Sequence, residues 1–506
     1  MFCRIFSGDI KGIDAYKVCV EADVSGGLPQ FNMVGLLSSE VKEAKERVVR
    51  AFSNSGIELP ARKITINLSP ANIRKQGTGF DLPIAVAILT ALGNIKEEKI
   101  EDKLFVGELS LDGTVNMVRG ILPIALMAKE EGFKTLVVPA GNAFEGAVID
   151  GLQISGVECL SDLIEMLNED TLPKSDHIDL EEYLRNEYAS YSIDYADIKG
   201  QEKAKRATQV AVAGFHNLMF VGPPGSGKSM LSSRIPTIQN CLSKEESLEI
   251  SKIYSVLGLL NNSSLVLKRP FRSPHHSITG PALIGGQGNP KPGEITLAHK
   301  GVLFLDEATE FKKDVIEMLR QPMEDKQVSI SRVWGKAIFP ADFMLVMAMN
   351  PCRCGFYPDK QHCTCTKADV DRYFGKIKGP IMDRVDICVG VEKLEVQDFG
   401  KTAPGPSSAE MREAVQKAQK IQKDRFKHLN ITFNSQMERN DIDKYCEISE
   451  ADREILDKAY KKYNMTARGY YKVLKVARTI ADMDGEARIK REHLIEAIGY
   501  RNNYGG

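Results

Sequence analysis

Eight consecutive residues, Gly222-Pro223-Pro224-Gly225-Ser226-Gly227-Lys228-Ser229, combine three glycines with a lysine and two hydroxyls. An apolar run, Leu218 to Val221, precedes them and a helical pattern follows, which is the setting in which such a loop wraps the phosphates of a nucleotide. Glycine lets backbone N–H groups close on phosphate without a Cβ in the way. In that setting Lys228 reaches the β and γ phosphates, Ser229 ligates Mg²⁺, and the following helix adds the positive end of its dipole. A second apolar run ends in Leu303-Phe304-Leu305-Asp306-Glu307, which places two carboxylates at the edge of a sheet where ligands of open α/β folds bind. Asp306 is expected to hold Mg²⁺ through water and Glu307 to polarise the attacking water. Alone, the pair would read as the acidic first turn of a helix. Asn350 closes a third run, Leu345 to Met349, and is expected to orient the same water, although an Asn before Pro351 also suits a turn.

A different chemistry is offered by Cys352, Cys354, Cys363 and Cys365, two Cys-x-Cys pairs in a segment poor in apolar residues. Four thiolates brought together from two short turns suit a structural, tetrahedral Zn²⁺. The alternative is a set of reduced cysteines acting as small hydrophobes. Two further stretches carry positive charge and no acid: 265–293, with Lys268, Arg269, Arg272, His275, His276 and Lys291, and 326–341, with Lys326, Arg332, Lys336 and the single tryptophan, Trp334. The second reads as a hairpin around Val333-Trp334-Gly335.

The chain that must position these groups has 506 residues, 67 Lys plus Arg and 68 Asp plus Glu, for a net charge of −1. That balance excludes a general coat of positive charge, so contact with nucleic acid has to come from local basic loops. Hydrophobic residues at 43% and charged residues at 27% are those of a soluble folded protein and exclude disordered, collagenous and membrane classes. The opening Met1-Phe2-Cys3-Arg4-Ile5-Phe6 has no basic segment leading into an apolar run, so no secretory signal is expected. No run is long and apolar enough to cross a bilayer. The expected compartment is the cytoplasm, with no membrane partner.

Residues 1–170 alternate strand-like segments (Lys63 to Leu68, Leu104 to Val106, Thr135 to Val138) with helical ones (Glu40 to Ser53, Leu82 to Leu92, Leu122 to Glu131), as a mixed α/β domain does. Residues 171–194 read as a polar linker with one short helix. In 195–395, four short apolar runs (Leu218 to Val221, Val302 to Leu305, Met344 to Met349, Val385 to Val391) predict a parallel sheet covered on both faces. Residues 396–506 open with a Gly/Pro/Ser-rich linker, Gly400 to Ser408, and then read as wholly helical.

On these motifs the chain resembles the AAA+ ATPases. The run Pro292 to Glu307 is similar to their magnesium-chelatase-type branch, and Asn350-Pro351-Cys352 with Gly379-Pro380-Ile381-Met382-Asp383-Arg384-Val385-Asp386 is similar to the YifB/ComM family, over essentially the whole chain. The resemblance implies an α/β fold: an AAA+ P-loop ATPase core with a helical lid, preceded by a Lon-protease-like (ribosomal S5 domain 2-like) α+β domain. It also implies that Arg384 is an arginine finger reaching a neighbouring subunit's nucleotide and that Arg468, in Thr466-Ala467-Arg468-Gly469, is the sensor arginine of the lid. A finger acting in trans neutralises charge on the transferring γ phosphoryl and requires a ring, here a homo-hexamer. On spacing alone either arginine reads as a solvated surface residue.

The first region resembles the Lon-type proteolytic domain in Lys75-Gln76-Gly77-Thr78-Gly79-Phe80-Asp81-Leu82-Pro83 and in Gly107 to Gly113. Active members use a serine nucleophile with a lysine base. The alignment puts Gly79 at the serine and Leu122 at the lysine, so no protease activity is expected and the domain is assigned to assembly or substrate guidance. The function implied is an ATP-dependent hexameric DNA motor, similar to ComM proteins that promote branch migration during homologous recombination of imported DNA. Its cofactors are ATP and Mg²⁺, with structural Zn²⁺, and its partner is single-stranded or branched DNA. In ring ATPases of this kind the basic insertions face the channel, where Arg269, Arg272, Arg332 and Lys336 would track phosphates and Trp334 would stack on a base. Solvated loops, or Trp334 packed on its own domain, are the alternative for these residues. For the whole chain, the alternative is a chelatase-type ATPase that remodels or loads a protein or metal-insertion partner.

Overall fold

The computed structural model describes all residues except 189–190, 261–264, 287–289, 333–334, 360, 378–380, 394–404 and 502–506. The chain divides into two compact units, Met1–Leu184 with Ser243–Leu267 and Arg185–Leu242 with Lys268–Gly506.

In the first unit a period of two builds the opening hairpin. Along β2 (Asp14–Ser25) the residues Val18, Val20, Ala22 and Val24 are buried and those between them are not, so one face of the strand is committed to the core. It pairs antiparallel with β1 (Phe2–Lys11) along its length. With β3 (Gln30–Val34), β4 (Lys63–Ser69), β5 (Lys103–Phe105), β8 (Thr135–Pro139) and β9 (Gln153–Val157) they form a seven-stranded mixed sheet in the order β3-β4-β2-β1-β5-β8-β9, while β6 (Glu108–Leu109) and β7 (Val115–Asn116) make a separate small ribbon. The helix Asp81–Leu92, apolar almost all round, is buried against β1 and β2, as a helix without a polar face must be.

The segment Ser243–Leu267, although it lies within the 195–395 span, packs in this unit. Its helix Lys244–Leu257 starts at a capping box between Ser243 and Glu246 and lies against the helix Ile121–Glu130. The partly buried Glu145 ties the two together: it accepts from the Leu122 N–H at 2.9 Å and from the Ser255 hydroxyl, and desolvation raises its pKa.

The second unit is organised by a five-stranded sheet in the order β11-β12-β15-β10-β16, from β10 (Leu218–Val221), β11 (Phe271–Arg272), β12 (Val302–Leu305), β15 (Met344–Met349) and β16 (Ile387–Gly390), with every pairing parallel. The residues of β10, β12 and β15 are all buried, which is why these strands read as unbroken apolar runs. Beside this sheet β13 (Gln327–Arg332) and β14 (Gly335–Pro340) form an antiparallel hairpin. The helices Ser408–Arg425, Arg439–Tyr445, Glu450–Lys462, Ala467–Met483 and Arg491–Gly499 follow and share one core with the sheet. Among the described residues no helix is long and apolar enough to cross a membrane.

Sheet and helices are joined by buried charge. Asp386, at the entrance to β16, accepts from the Asn217 N–H at 2.8 Å and from Lys472 Nζ at 2.6 Å. His216 is fully buried, with Nε2 2.8 Å from the Thr479 hydroxyl and Nδ1 3.9 Å from Asp386. Burial would raise the Asp386 pKa, but Lys472 and His216 pull it to about 2; burial lowers that of His216 to about 4 against the attraction of Asp386.

His216 is therefore neutral in the fold, and only the unfolded chain takes up a proton near 6.5. Stability from this site is complete above pH 6.5 and falls as pH drops toward 4, by at most about 3 kcal/mol. Urea melts of the full chain at pH 7.5 and pH 5 should show the loss, and His216→Gln should flatten it; equal slopes in the two proteins would assign the acid sensitivity elsewhere.

Candidate functional site

Three loops leave the carboxyl edge of the parallel sheet side by side, because β12, β15 and β10 are neighbours in that order. Their last residues deliver Asp306, Asn350 and the loop Gly222–Gly227. Two glycines in that loop are required by the backbone. A Cβ on Gly222 would lie 2.1 Å from the carbonyl oxygen of Val391, and Gly227, which caps the helix Lys228–Ser233, has φ +91°. The Lys228 amine donates to the carbonyls of Gly222 and Pro223 at 2.7 and 2.9 Å and to Asn350 Oδ1 at 3.3 Å. Burial lowers its pKa, opposed by the charges of Asp306 and Glu307. The Ser229 hydroxyl donates to Asp306 Oδ2 at 2.7 Å. A hydroxyl and a carboxylate so placed, beside a buried amine at a helix N-terminus, are the donor set that a Mg²⁺–polyphosphate needs.

Glu307 follows with φ +50°, a left-handed backbone that costs a non-glycine residue on the order of 1 kcal/mol and tends to be kept where function requires it. The turn leaves the carboxylate exposed at the sheet edge, with Oε2 3.8 Å from His276 Nδ1. Spacing had placed His276 only within a basic stretch; no sequence pattern pairs it with a residue 31 positions on, and the parallel pairing of β11 with β12 does.

Arg384 lies at the other edge of the same sheet. It sits just before β16, and its carbonyl accepts from Asn217 Nδ2 at 2.9 Å at the start of β10. Four strand residues separate that edge from the phosphate loop, or about 13 Å at 3.3 Å per residue. The Arg384 guanidinium is 7% exposed and pairs with Glu324, and Arg468 Nη1 reaches the same carboxylate at 3.4 Å. The two arginines are thus together, and both lie apart from Lys228, Asp306 and Asn350 of their own chain.

The four cysteine sulfurs converge within 4.8 Å of one another, Cys352 to Cys354 at 3.2 Å and to Cys363 at 3.8 Å. A tetrahedral Zn²⁺ with Zn–S bonds of 2.3 Å separates its sulfurs by about 3.8 Å, so the cage has the size and the ligands that zinc takes. Backbone N–H groups, that of Phe356 first, push the Cys354 thiol down to about 6, while Cys363 and Cys365, which share its proton, are pushed up. His362 is turned onto Asp359 at 2.6 Å. The cysteine segment also presses on the phosphate loop: a Cβ on Gly355 would come within 2.6 Å of Pro224 Cδ. A cavity of about 660 Å³ lies between Gly222, Pro223, Phe356, Tyr357 and Val391.

The basic residues divide. Arg269 donates to the carbonyls of Asn240 and Lys300, both at 2.8 Å, and to that of Cys241. Arg272 grips Glu294 with two bonds of 2.7 and 2.8 Å. Both are tied to partners around β11 and β12, and the Arg272 side chain is still one-third exposed. Lys336 is exposed on β14. Arg332 ends β13 opposite Gly335, and Trp334 lies outside the described residues. In the first unit, Leu122 is buried in its helix, and a Cβ on Gly79 would meet Val106 Cγ1 at 3.2 Å, so the two positions aligned with a serine and a lysine carry no reactive group.

Comparison with known proteins adds independent findings. Family models described as magnesium chelatase, subunit ChlI, match residues 20–142 and 194–399, and a model of the ChlI C-terminal region matches 405–501. The chain is 39% identical over 499 residues to the competence protein ComM of Haemophilus influenzae, covering 98% of this chain and 97% of that protein. It is 39% identical over 495 residues to YifB of Escherichia coli, covering 97% and 95%. A stretch of 147 residues is 27% identical to Lon protease 2 of Bacillus subtilis, 28% of this chain and 26% of that protein.

The sulfur cage should hold one zinc per chain. Elemental analysis of protein purified without chelators is the measurement. Below about half an equivalent, the cysteines return to the role of small hydrophobes. Cys352→Ser with Cys363→Ser should empty the site.

Proposed function

This chain belongs to the YifB/ComM family of magnesium-chelatase-like AAA+ ATPases, and we propose on that premise that it is an ATP-driven DNA motor working as a homo-hexameric ring in the cytoplasm. The observation that carries the reading is the split of the ATPase sheet. Lys228, Ser229, Asp306, Glu307 and Asn350 gather at one edge, while Arg384 and Arg468 gather at the other. One chain holds both halves of a hydrolytic site but not at one place, and a ring brings the second half of each chain to the first half of the next.

In this reading the loop from Gly222 to Gly227 and the Lys228 amine hold the phosphates of ATP. Mg²⁺ between Ser229 and Asp306 screens their charge. Asn350 orients the attacking water, Glu307 polarises it, and His276 fixes the position of the Glu307 carboxylate. Arg384 and Arg468 of the adjacent copy neutralise charge developing on the γ phosphoryl. The zinc cage holds the segment after Asn350 against the phosphate loop, and the first unit serves assembly or substrate guidance.

DNA enters the reading through the competence protein among the relatives and through the β13–β14 hairpin, where Lys336 is exposed and Arg332 ends β13. A second reading, remodelling of a protein partner, is favoured by Arg269 and Arg272: their commitment to internal partners removes two of the five residues expected to face DNA.

Glu307→Gln should keep nucleotide binding and lower turnover by about 10²- to 10⁴-fold, the range a positioned base contributes, whereas Lys228→Ala should lose nucleotide binding itself; equilibrium binding and steady-state hydrolysis separate the two. ATP turnover measured with single-stranded, duplex and four-way-junction DNA decides between the readings. Stimulation by DNA supports the motor, and none with any of the three moves the assignment to a protein client. Lys336→Ala should shallow the slope of log affinity against log salt by about one per chain engaged. Trp334→Ala should weaken single-strand binding without changing that slope.

A further inference from the structure

Glu307 stands on a turn whose far end is tied to the cysteine segment. It leaves β12 in a left-handed conformation, and the short turn Ala308–Glu310 that follows is closed by the Glu310 N–H on the Glu307 carbonyl at 2.7 Å. Phe311 comes next. His276, whose Nδ1 is 3.8 Å from Glu307 Oε2, also sets its ring edge-on to Phe311 with 6.5 Å between centroids. The carboxylate and the imidazole beside it therefore depend on the same stretch of backbone. A strained conformation persists only where its surroundings over-determine it. Upstream, β12 does so within the parallel sheet, with the Glu307 N–H on Asp306 Oδ1 at 2.9 Å, and β15 lies against the turn.

Downstream the anchor is Thr309. Its hydroxyl is 2.6 Å from that of Tyr373, and both residues are buried. Thr309 also has Glu310 Oε1 at 3.4 Å, a contact inside the turn that fixes it to nothing else. Tyr373 belongs to the helix Lys367–Gly375, which starts at a capping box between Thr366 and Asp369, and Thr366 follows Cys365 of the sulfur cage. A second tie from the end of that helix, Lys376 to Glu310 at 3.7 Å, is half exposed on both sides and screened by water.

We propose that Tyr373 is a positioning residue for ATP hydrolysis, holding through Thr309 the turn that presents Glu307 with His276 beside it. This rests on the reading of Glu307 as the group that polarises the attacking water. A pair of buried hydroxyls suits the task, because they bond over a narrow range of separations and neither finds water when the other is removed. Tyr373 makes and breaks no bond. It acts through geometry, where a displacement of about 1 Å costs on the order of a hundredfold in rate. The cysteine cage thereby reaches the site twice, through Gly355 against the phosphate loop and through Tyr373 against the turn after Glu307.

The test uses the full chain at concentrations where ATP turnover per chain no longer rises with protein. Tyr373→Phe keeps the ring and removes the hydroxyl. Its turnover should fall about tenfold, while equilibrium binding of a slowly hydrolysed ATP analogue stays within about twofold of the parent. Thr309→Val should match it, and the double variant should lose no more than either single one. Thr309→Ser, which keeps the hydroxyl, should stay within about threefold of the parent. The deciding comparison is made in Glu307→Gln. With the carboxylate gone there is nothing left to position, so adding Tyr373→Phe should change the residual turnover by less than about twofold. A tie that only supports the fold would cost both backgrounds the same factor, and that result overturns the proposal. Parent turnover in Tyr373→Phe and in Thr309→Val overturns it too, as does a tenfold loss of analogue binding. A parent rate in Glu307→Gln removes the reading of Glu307 itself, whatever Tyr373→Phe does.

Discussion

The ATPase unit hangs on the buried carboxylate of Asp386. A lone carboxylate taken out of water costs several kcal/mol, and here that cost is offset by the Asn217 N–H and by the Lys472 amine. The two partners come from different places: Asn217 from just before β10 and Lys472 from the helix that also carries Arg468. Because the charge is tolerable only when both are present, the strand that leads to the phosphate loop, the strand that follows Arg384 and the helical lid are fixed with respect to one another. Replacing one partner leaves an uncompensated charge in the core, so the joint behaves as a unit rather than as a set of separable bonds.

The parallel sheet turns that fixed joint into a division of labour. Parallel strands send all their carboxyl ends one way, so Lys228, Asp306, Glu307 and Asn350 collect at one edge by topology, while what precedes the strands collects at the other. Arg384 precedes β16 and so falls on the far edge. The lid helix, docked by Lys472 onto Asp386, brings Arg468 to the same place. The separation of Arg384 and Arg468 from Lys228, Asp306 and Asn350 is therefore a consequence of strand direction and needs no special device.

Much of this was legible in the sequence where a strong local signal coincided with a single physical cause. The four apolar runs of the sheet coincide with β10, β12, β15 and β16 because burial on both faces leaves only one kind of residue in a strand, and Gly222–Ser229 and Asp306–Glu307 follow two of them. The alternation of Val18, Val20, Ala22 and Val24 was equally plain, yet the hairpin of β1 and β2 falls outside the strand-like segments read from the sequence. The rest was not local. Arg269 and Arg272 look like nucleic-acid contacts when counted by charge, because their partners are backbone carbonyls and Glu294, the residue immediately beyond the acid-free stretch. The pairing of His276 with Glu307, of Glu324 with Arg384 and Arg468, and of Ser255 with Glu145 all depend on which elements become neighbours, which no spacing encodes.

The helix Lys244–Leu257 has a consequence for how this protein can be inherited or taken apart. The chain leaves the first unit at Leu184 and returns to it at Ser243 for 25 residues before departing again. A fragment ending at Leu184 would lack the helix that covers Ile121–Glu130 and the hydroxyl that satisfies Glu145, and one beginning at Arg185 would carry Ile250 and Ile253 with nothing of their own to bury them. No single cut in the gene yields either unit whole. Each unit is thus encoded in pieces that lie on both sides of part of the other.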